Sequence, residues 1–89
     1  MSNYKVEFSP AALRGLKRLS AQERTRILKN IKELAYNPRP HGYRQLSEFE
    51  KLFRIRVGDY RIVYSIKEGI LTVSIVKIGH RSKVYKKLG

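Results

Sequence analysis

The chain of 89 residues carries 20 Lys and Arg against 7 Asp and Glu, a formal net charge of +13. Its length allows one modest hydrophobic core, so we expect a single domain over residues 1–89. The absence of cysteine excludes disulfides, thiolate catalysis and cysteine–zinc sites. With only His41 and His80, a histidine-rich metal site is excluded as well.

So large a positive charge destabilises a small domain through self-repulsion unless an anionic partner compensates for it. Nucleic acid is the first candidate partner, and an anionic membrane surface is the second. The sequence has no apolar run long enough to span a bilayer and no secretion signal, so we expect a cytoplasmic protein without a membrane partner. It also has no glycine-rich phosphate-cradling loop, and we expect no cofactor.

Residues 4–8 alternate apolar and charged side chains, which predicts a first strand. Ser9 is a preferred N-cap and Pro10 is tolerated in the first turn, so a helix should follow and run to about Leu19. Gly15 weakens this helix, and a close approach to a neighbouring element would explain it. The residues expected to face inward are Ala12, Leu13, Leu16 and Leu19.

A second helix is predicted immediately afterwards. Ser20 and Glu23 have the spacing of a capping box, and Asn37-Pro38 should end the helix because Pro disfavours helical geometry in the preceding residue. The two helices should form an antiparallel hairpin with their basic residues outward. The apolar stripe expected on the second helix is Ile27, Ile31, Leu34 and Ala35.

The stretch from Phe53 to Tyr64 alternates apolar and basic residues with the period of two that a half-buried strand requires. Gly58-Asp59 at its centre predicts a two-residue hairpin turn. This turn fixes the register, in which directly opposed residues share a face. One face is then apolar, and the other carries Arg54, Arg56 and Arg61, with Arg56 opposite Arg61.

Folding alone does not favour two opposed arginines, because like charges across an antiparallel pair cost up to roughly 1 kcal/mol. An anionic ligand would favour them. A solvated basic face is the alternative, but three arginines converging on one patch of sheet indicate a site for a polyanion.

A second two-residue turn is predicted at Glu68-Gly69, with Gly69 in the left-handed conformation. This turn places Val76 opposite Arg61 and Ser74 opposite Val63. The predicted fold is α+β: an N-terminal strand, a helix hairpin, and a meander of three antiparallel strands. The helices should cover one face of the sheet and leave the basic face open.

Four segments in this order and spacing resemble the RelE/ParE superfamily of bacterial toxins. They are Asn37-Pro38-Arg39-Pro40, the stretch from Leu52 to Tyr64, Gly79-His80-Arg81 and Val84-Tyr85. The resemblance implies a compact α+β toxin that an acidic antitoxin inhibits. For the RelE-like branch it implies an endoribonuclease that binds the ribosome, including its 16S rRNA, and cuts mRNA in the A site.

The resemblance also assigns roles to particular residues. Arg61, Arg81 and Tyr85 match the RelE motif and are the expected catalytic residues, and His80 is an alternative to Arg81 at the leaving group. Without a metal, the 2′-hydroxyl of the RNA would attack the phosphate, with Tyr85 as the base. The residues expected to bind RNA are Arg54, Arg56, Lys83, Lys86 and Lys87. A ParE-like inhibitor of DNA gyrase and a non-catalytic RNA-binding module remain alternatives.

Overall fold

Two helices pack on one face of a five-stranded sheet. The structure, a computed structural model, describes residues 3–46 and 51–83. In these ranges no helix has the length and apolar character needed to cross a membrane. In chain order the elements are β1 (Lys5–Phe8), α1 (Pro10–Lys17), α2 (Ala21–Leu34), β2 (Arg44–Gln45), β3 (Phe53–Val57), β4 (Tyr60–Lys67), a 3-10 turn (Glu68–Ile70) and β5 (Thr72–His80).

The strand order across the sheet is β1-β5-β4-β3-β2. Strands β3, β4 and β5 form the antiparallel meander that the sequence predicts, and β2 extends it at one edge. Strand β1 pairs with β5 in parallel, from Lys5 opposite Thr72 to Phe8 opposite Ile75, so the sheet is mixed rather than wholly antiparallel. The predicted α+β class, with both helices on one face, is confirmed.

Both helices begin at a capping serine, as predicted. The Ser9 hydroxyl accepts a hydrogen bond of 3.0 Å from the amide of Ala12, and Pro10 occupies the first turn of α1. Ser20 and Glu23 form the capping box of α2 through reciprocal bonds of 3.1 and 3.3 Å. A cap of this kind contributes about 1 kcal/mol, so these bonds fix where each helix starts.

The hydrophobic core lies between the helices and the sheet. The prediction that Leu13 faces inward is wrong, because 46% of this residue is exposed. Leu13 is rotated about 100° around the helix from the buried Ala12, which takes it off the buried stripe. Leu19, between the two helices, is buried. The buried residues within the helices are Ala12, Leu16, Ile27, Ile31 and Leu34.

Helix α1 approaches β5 at Gly15 more closely than a side chain would allow. A Cβ atom on Gly15 would lie 2.3 Å from the backbone oxygen of Ile78. The close approach predicted from this glycine is therefore confirmed. The missing side chain sets the distance between α1 and the sheet.

The connection from β4 to β5 differs from the predicted two-residue turn. Residues Glu68–Ile70 form a 3-10 turn, and the left-handed residue is Leu71, with φ of 46°, rather than Gly69. Lys67 lies opposite Thr72 as a result. The longer connection moves β5 by two residues relative to the predicted register.

A β-bulge at Val76 then reverses which residues of β5 point to each face of the sheet. Tyr64 lies opposite Ile75, and the preceding Val63 lies opposite Lys77, so Val76 is the extra residue. A bulge interrupts the alternation of side chains between the two faces. Beyond it, Lys77 shares a face with Val63 and leaves the helix side of the sheet.

The longer connection and the bulge change the cross-strand neighbours that the sequence predicts for β4. Arg61 lies opposite Gly79 rather than Val76, and the predicted pairing of Val63 with Ser74 is also wrong. A glycine opposite Arg61 has no side chain to cover the guanidinium from that strand.

We expect Gly15→Ala to lower the free energy of unfolding by about 1–3 kcal/mol, the usual cost of overpacking. Alanine is the better helix former by ~1 kcal/mol, so the loss would come from the contact with Ile78. Urea unfolding measures the effect, and the dependence of the free energy of unfolding on urea concentration should stay unchanged.

Gly69→Ala is the matched control, because a Cβ atom there would meet nothing within 4 Å. Its expected change is within about 0.5 kcal/mol. Equal stability of the two variants would show that α1 can move away from β5 at little cost.

Candidate nucleic-acid interface

The sheet face opposite the helices collects basic side chains from all five strands. The β3–β4 register predicted from the sequence is confirmed pair by pair, and Gly58 has the positive φ, 60°, that its turn requires. Directly opposed residues share a face, so β2 and β5 each add a cation to those of the hairpin. Lys5 and Lys67 lie on the same side of the sheet, both beside Thr72 at its far end. We call the part of this surface nearer the β3–β4 turn the basic face; it consists of Arg44, Arg54, Arg56, Arg61 and Lys77.

Arg56 and Arg61 form the closest like-charge pair of the basic face. In a two-residue hairpin the pair next to the turn, here Val57 and Tyr60, exchanges hydrogen bonds. The next pair, Arg56 and Arg61, is then of the non-hydrogen-bonded type, whose Cα atoms are only about 4.5 Å apart. The register thus brings the two arginine side chains together.

No carboxylate among the described residues compensates this pair. The two ion pairs within residues 3–46 and 51–83 join Arg39 to Glu68 (2.6 Å) and Lys67 to Glu7 (3.0 Å). Both involve the end of β4 that lies away from Arg61. The cationic potential of the basic face is therefore concentrated near the β3–β4 turn.

The centre of the basic face is more covered than the sequence suggests. Arg54 is only 7% exposed, and its guanidinium donates to the carbonyl oxygen of Gly42 at 3.4 Å. Val63, directly opposite Arg54, is fully buried. The expectation of an open floor across all three arginines is corrected: Arg56 is exposed and Arg61 half-buried, whereas Arg54 is held inside.

Sequence reasoning missed two cations of the basic face. Strict alternation through β5 would place Val73, Ile75 and Lys77 on one face and bury the lysine in the core, and that conflict is itself the signal of a bulge. Arg44 lies in a strand of two residues, which is too short for any periodic pattern.

His80 lies on the other face of the sheet. It is opposite Tyr60, and the two rings meet edge to face with centroids 5.8 Å apart. Its Nδ1 accepts a hydrogen bond from the Ser82 amide (3.2 Å) and lies 2.9 Å from the Ser82 hydroxyl oxygen. This places the imidazole beside Tyr60 rather than beside Arg61.

The hairpin tyrosines are poor candidates for a base. Burial, reinforced by the charge of Glu23, raises the pKa of Tyr60. Burial also raises the pKa of Tyr64, whose hydroxyl donates to the carbonyl oxygen of Pro38 at 2.6 Å. Both phenols therefore remain protonated at neutral pH, as expected for packing residues.

Arg81 is exposed, and its backbone lies beside the β3–β4 turn. Its amide donates to the carbonyl oxygen of Asp59 at 2.8 Å, two residues beyond the Gly79 that faces Arg61. Lys83 is exposed as well, and its amide donates to the carbonyl oxygen of His80 at 2.9 Å. The other predicted site residues, Tyr85, Lys86 and Lys87, lie outside the described residues.

Comparison with known proteins identifies the family. A family model described as the ParE toxin of the type II toxin–antitoxin system parDE matches residues 6–85. This chain belongs to the RelE/ParE superfamily of type II toxins. Among its relatives, Toxin RelE of Mycobacterium tuberculosis is 33% identical over 84 residues, which are 93% of this chain and 87% of the relative.

Solved structures of RelE/ParE toxins share the fold. The RelBE2 toxin–antitoxin complex of M. tuberculosis contains a chain with a TM-score of 0.82 and 28% identity, covering 93% of this chain and 97% of that one. The archaeal RelE–RelB complex of Pyrococcus horikoshii gives a TM-score of 0.78 and 27% identity over 91% and 98% of the two chains. The basic face is thus carried on a RelE scaffold.

We expect Arg56→Ala to raise the free energy of unfolding at low salt by a few tenths of a kcal/mol to roughly 1 kcal/mol, because it removes repulsion from Arg61. High salt should abolish the gain by screening the repulsion. Urea unfolding at both salt concentrations measures the difference.

Lys29→Ala on the exposed side of α2 is the control, since it removes one positive charge without touching the hairpin. An equal gain from Lys29→Ala would mean that overall charge, rather than the opposed pair, carries the repulsion.

Proposed function

We propose that this toxin is a ribosome-dependent endoribonuclease that cleaves mRNA in the ribosomal A site. The observation that carries the proposal is the Arg56–Arg61 pair, which the hairpin holds together on an accessible face without a compensating carboxylate among the described residues. Two preorganised guanidinium groups suit a phosphate, whose charge increases in the transition state. Relatives named RelE support the same branch of the superfamily.

In the proposed reaction the 2′-oxygen of the RNA attacks the adjacent phosphorus, and the bond to the 5′-oxygen breaks. Arg56 and Arg61 hold the phosphate and stabilise its extra negative charge. We assign the proton of the 2′-hydroxyl to Tyr85 on the resemblance to the RelE motif; a phenol ionises more readily wherever guanidinium groups approach it. The products are a 2′,3′-cyclic phosphate and a free 5′-hydroxyl.

The placement of the last residues of β5 favours Arg81 over His80 at the leaving group. His80 contacts Tyr60 on the opposite face of the sheet. Arg81 comes two residues after Gly79, which lies opposite Arg61. An arginine stays charged at neutral pH and is a poor proton donor. We therefore assign to Arg81 the stabilisation of the leaving 5′-oxygen, with water supplying its proton.

The proposed partners are the ribosome, through 16S rRNA and the A-site mRNA, and an acidic antitoxin. The RelBE2 and archaeal RelE–RelB structures are toxin–antitoxin complexes, which supports an antitoxin for this chain. A formal charge of +13 makes an acidic inhibitor the complementary one. The proposed target places the action of the toxin in the cytoplasm.

Inhibition of DNA gyrase is the second candidate, because the matching family model describes a ParE toxin. The two functions differ in their target and in the residues that they need. A gyrase inhibitor has no use for the phosphate pair or for a base at Tyr85.

We expect Arg61→Ala to slow cleavage of ribosome-bound mRNA by about 10²-fold or more, the scale for losing one preorganised charge-stabilising group. Primer extension on translated messages measures the cleavage, and Lys29→Ala should cleave like wild type. Folding should persist, since the substitution removes a repulsive partner of Arg56. Intact messages with defective supercoiling after wild-type induction would assign the toxin to gyrase.

We expect Tyr85→Phe to separate binding from rate. Affinity for the ribosome should be unchanged, because salt-dependent binding depends on the cations of the basic face. Single-turnover cleavage should slow by roughly 10²-fold or more, as for the loss of a general base. Wild-type cleavage by Tyr85→Phe would remove Tyr85 from the mechanism.

A further inference from the structure

Beyond β5 the chain makes a tight turn in which three successive backbone N–H groups donate hydrogen bonds. The turn runs from His80 to Lys83 and is closed by the bond from the Lys83 amide to the His80 carbonyl oxygen, at 2.9 Å. The Arg81 amide donates to the carbonyl oxygen of Asp59 at 2.8 Å, which ties the turn to the β3–β4 hairpin. The Ser82 amide donates to Nδ1 of His80 at 3.2 Å. Each N–H group of the turn thus has an acceptor, and two of the three acceptors belong to His80.

The imidazole of His80 takes the place that an Asn or Asp side chain takes in an Asx turn. In that turn a side-chain oxygen accepts from the backbone N–H two residues further along the chain. Nδ1 of His80 and the Ser82 amide have this spacing. Because Nδ1 accepts, the neutral ring carries its proton on Nε2. The Ser82 hydroxyl lies 2.9 Å from the same nitrogen, but a hydroxyl can rotate away, whereas the direction of the amide is part of the turn.

Packing against β4 holds this imidazole in place. His80 lies opposite Tyr60, and the two rings meet at 83° with their centroids 5.8 Å apart. Such an edge-to-face arrangement is favourable for aromatic rings. The hydroxyl group of Tyr60 in turn interacts with the carboxylate of Glu23 in α2. These contacts keep the imidazole on the face of the sheet away from Arg61, so its Nδ1 serves the turn rather than the basic face.

Arg81 is the residue whose direction this turn sets. Hydrogen bonds hold the peptide groups on both of its sides, through its own amide and through that of Ser82. Its side chain is exposed, and its guanidinium forms no ion pair within residues 3–46 and 51–83. A long exposed side chain samples many rotamers, so the direction of its backbone decides the region that it reaches. Releasing the Ser82 amide would widen that region.

We propose that His80 is a positioning residue, whose imidazole holds the turn that directs Arg81 towards the leaving 5′-oxygen. Its contribution is one hydrogen bond accepted at Nδ1, and it transfers no proton. Misplacing a group that acts on the reaction by as little as about 1 Å can slow the reaction about 10²-fold, so a single bond at the base of Arg81 has a measurable effect. The proposal rests on the proposed function for the task of Arg81, whereas the turn itself does not depend on it.

Two substitutions of His80 separate this role from proton transfer. His80→Asn places an amide oxygen near the position of Nδ1 and completes an Asx turn, whereas His80→Gln carries its amide one carbon further, near the position of Nε2. We expect single-turnover cleavage within about threefold of wild type for His80→Asn and slower by about tenfold or more for His80→Gln. Affinity for the ribosome should be unchanged in both, because neither substitution adds a charge. His41→Gln, at the other histidine of the chain, is the control and should cleave like wild type.

Nuclear magnetic resonance tests the turn without the ribosome. Spectra of the toxin with ¹⁵N-labelled histidine, taken at a pH at which the imidazole is neutral, should show the proton of His80 on Nε2. The same tautomer should persist in Ser82→Ala, which removes the hydroxyl but keeps the amide. The resonance of the Ser82 amide proton should stay in place in His80→Asn and move upfield in His80→Gln, as for a lost hydrogen bond. A wild-type toxin that cuts no message would refute the proposed nuclease, and these spectra would still decide the turn.

Three outcomes would overturn the proposal. A proton on Nδ1 of neutral His80 would mean that the ring donates to the Ser82 hydroxyl and does not hold the amide. This measurement uses the wild-type toxin, so it does not depend on the folding of any variant. Equal cleavage by His80→Asn and His80→Gln, whether fast or slow, would mean that Arg81 does not need an acceptor at Nδ1. Slower cleavage by His80→Asn than by His80→Gln would assign the function to Nε2 and make His80 the acid at the leaving group.

Discussion

The register of the β3–β4 hairpin is the constraint on which the other features depend. Gly58 accepts a positive φ in the turn, and each residue pair before it then has a fixed face and a fixed hydrogen-bonding type. From this follow the apolar face that meets the helices and the proximity of Arg56 to Arg61. A slip of one residue would exchange the core face for the basic face.

The rest of the molecule supports this hairpin and leaves Arg56 exposed and Arg61 half-buried. Ser9 is used twice: its hydroxyl caps α1 and also donates to the carbonyl oxygen of Val76, the bulged residue of β5, at 2.6 Å. The start of α1 is thereby tied to the point at which β5 changes face. Repulsion within the basic face opposes folding, and any anion that binds only the folded state offsets it. The proposed binding of RNA or of an acidic partner would therefore also stabilise the fold.

Local signals in the sequence were sufficient for much of this structure. Ser20 with Glu23 has a defined capping chemistry, and Gly58-Asp59 between alternating runs has one hairpin register, so both were predicted correctly. The predicted β4–β5 register was wrong because it assumed a two-residue turn with Gly69 in the left-handed conformation. In the structure Leu71, a strained non-glycine residue, takes that conformation. The burial of Arg54 depends on a distant loop at Gly42, which no local pattern encodes. For the same reason the face of His80 became visible only in three dimensions.

The parallel pairing of β1 with β5 has a consequence for synthesis of the toxin. Lys5 lies opposite Thr72, so the first strand of the chain finds its neighbour only after almost all the other elements have been made. Contacts between residues so far apart in sequence form late, because the intervening chain must first be brought together. Helix α1 cannot pack on the sheet before β5 is present, because Gly15 packs against Ile78 of that strand. A nascent toxin thus lacks the β1–β5 pair and the surface on which α1 packs until β5 itself has been synthesised.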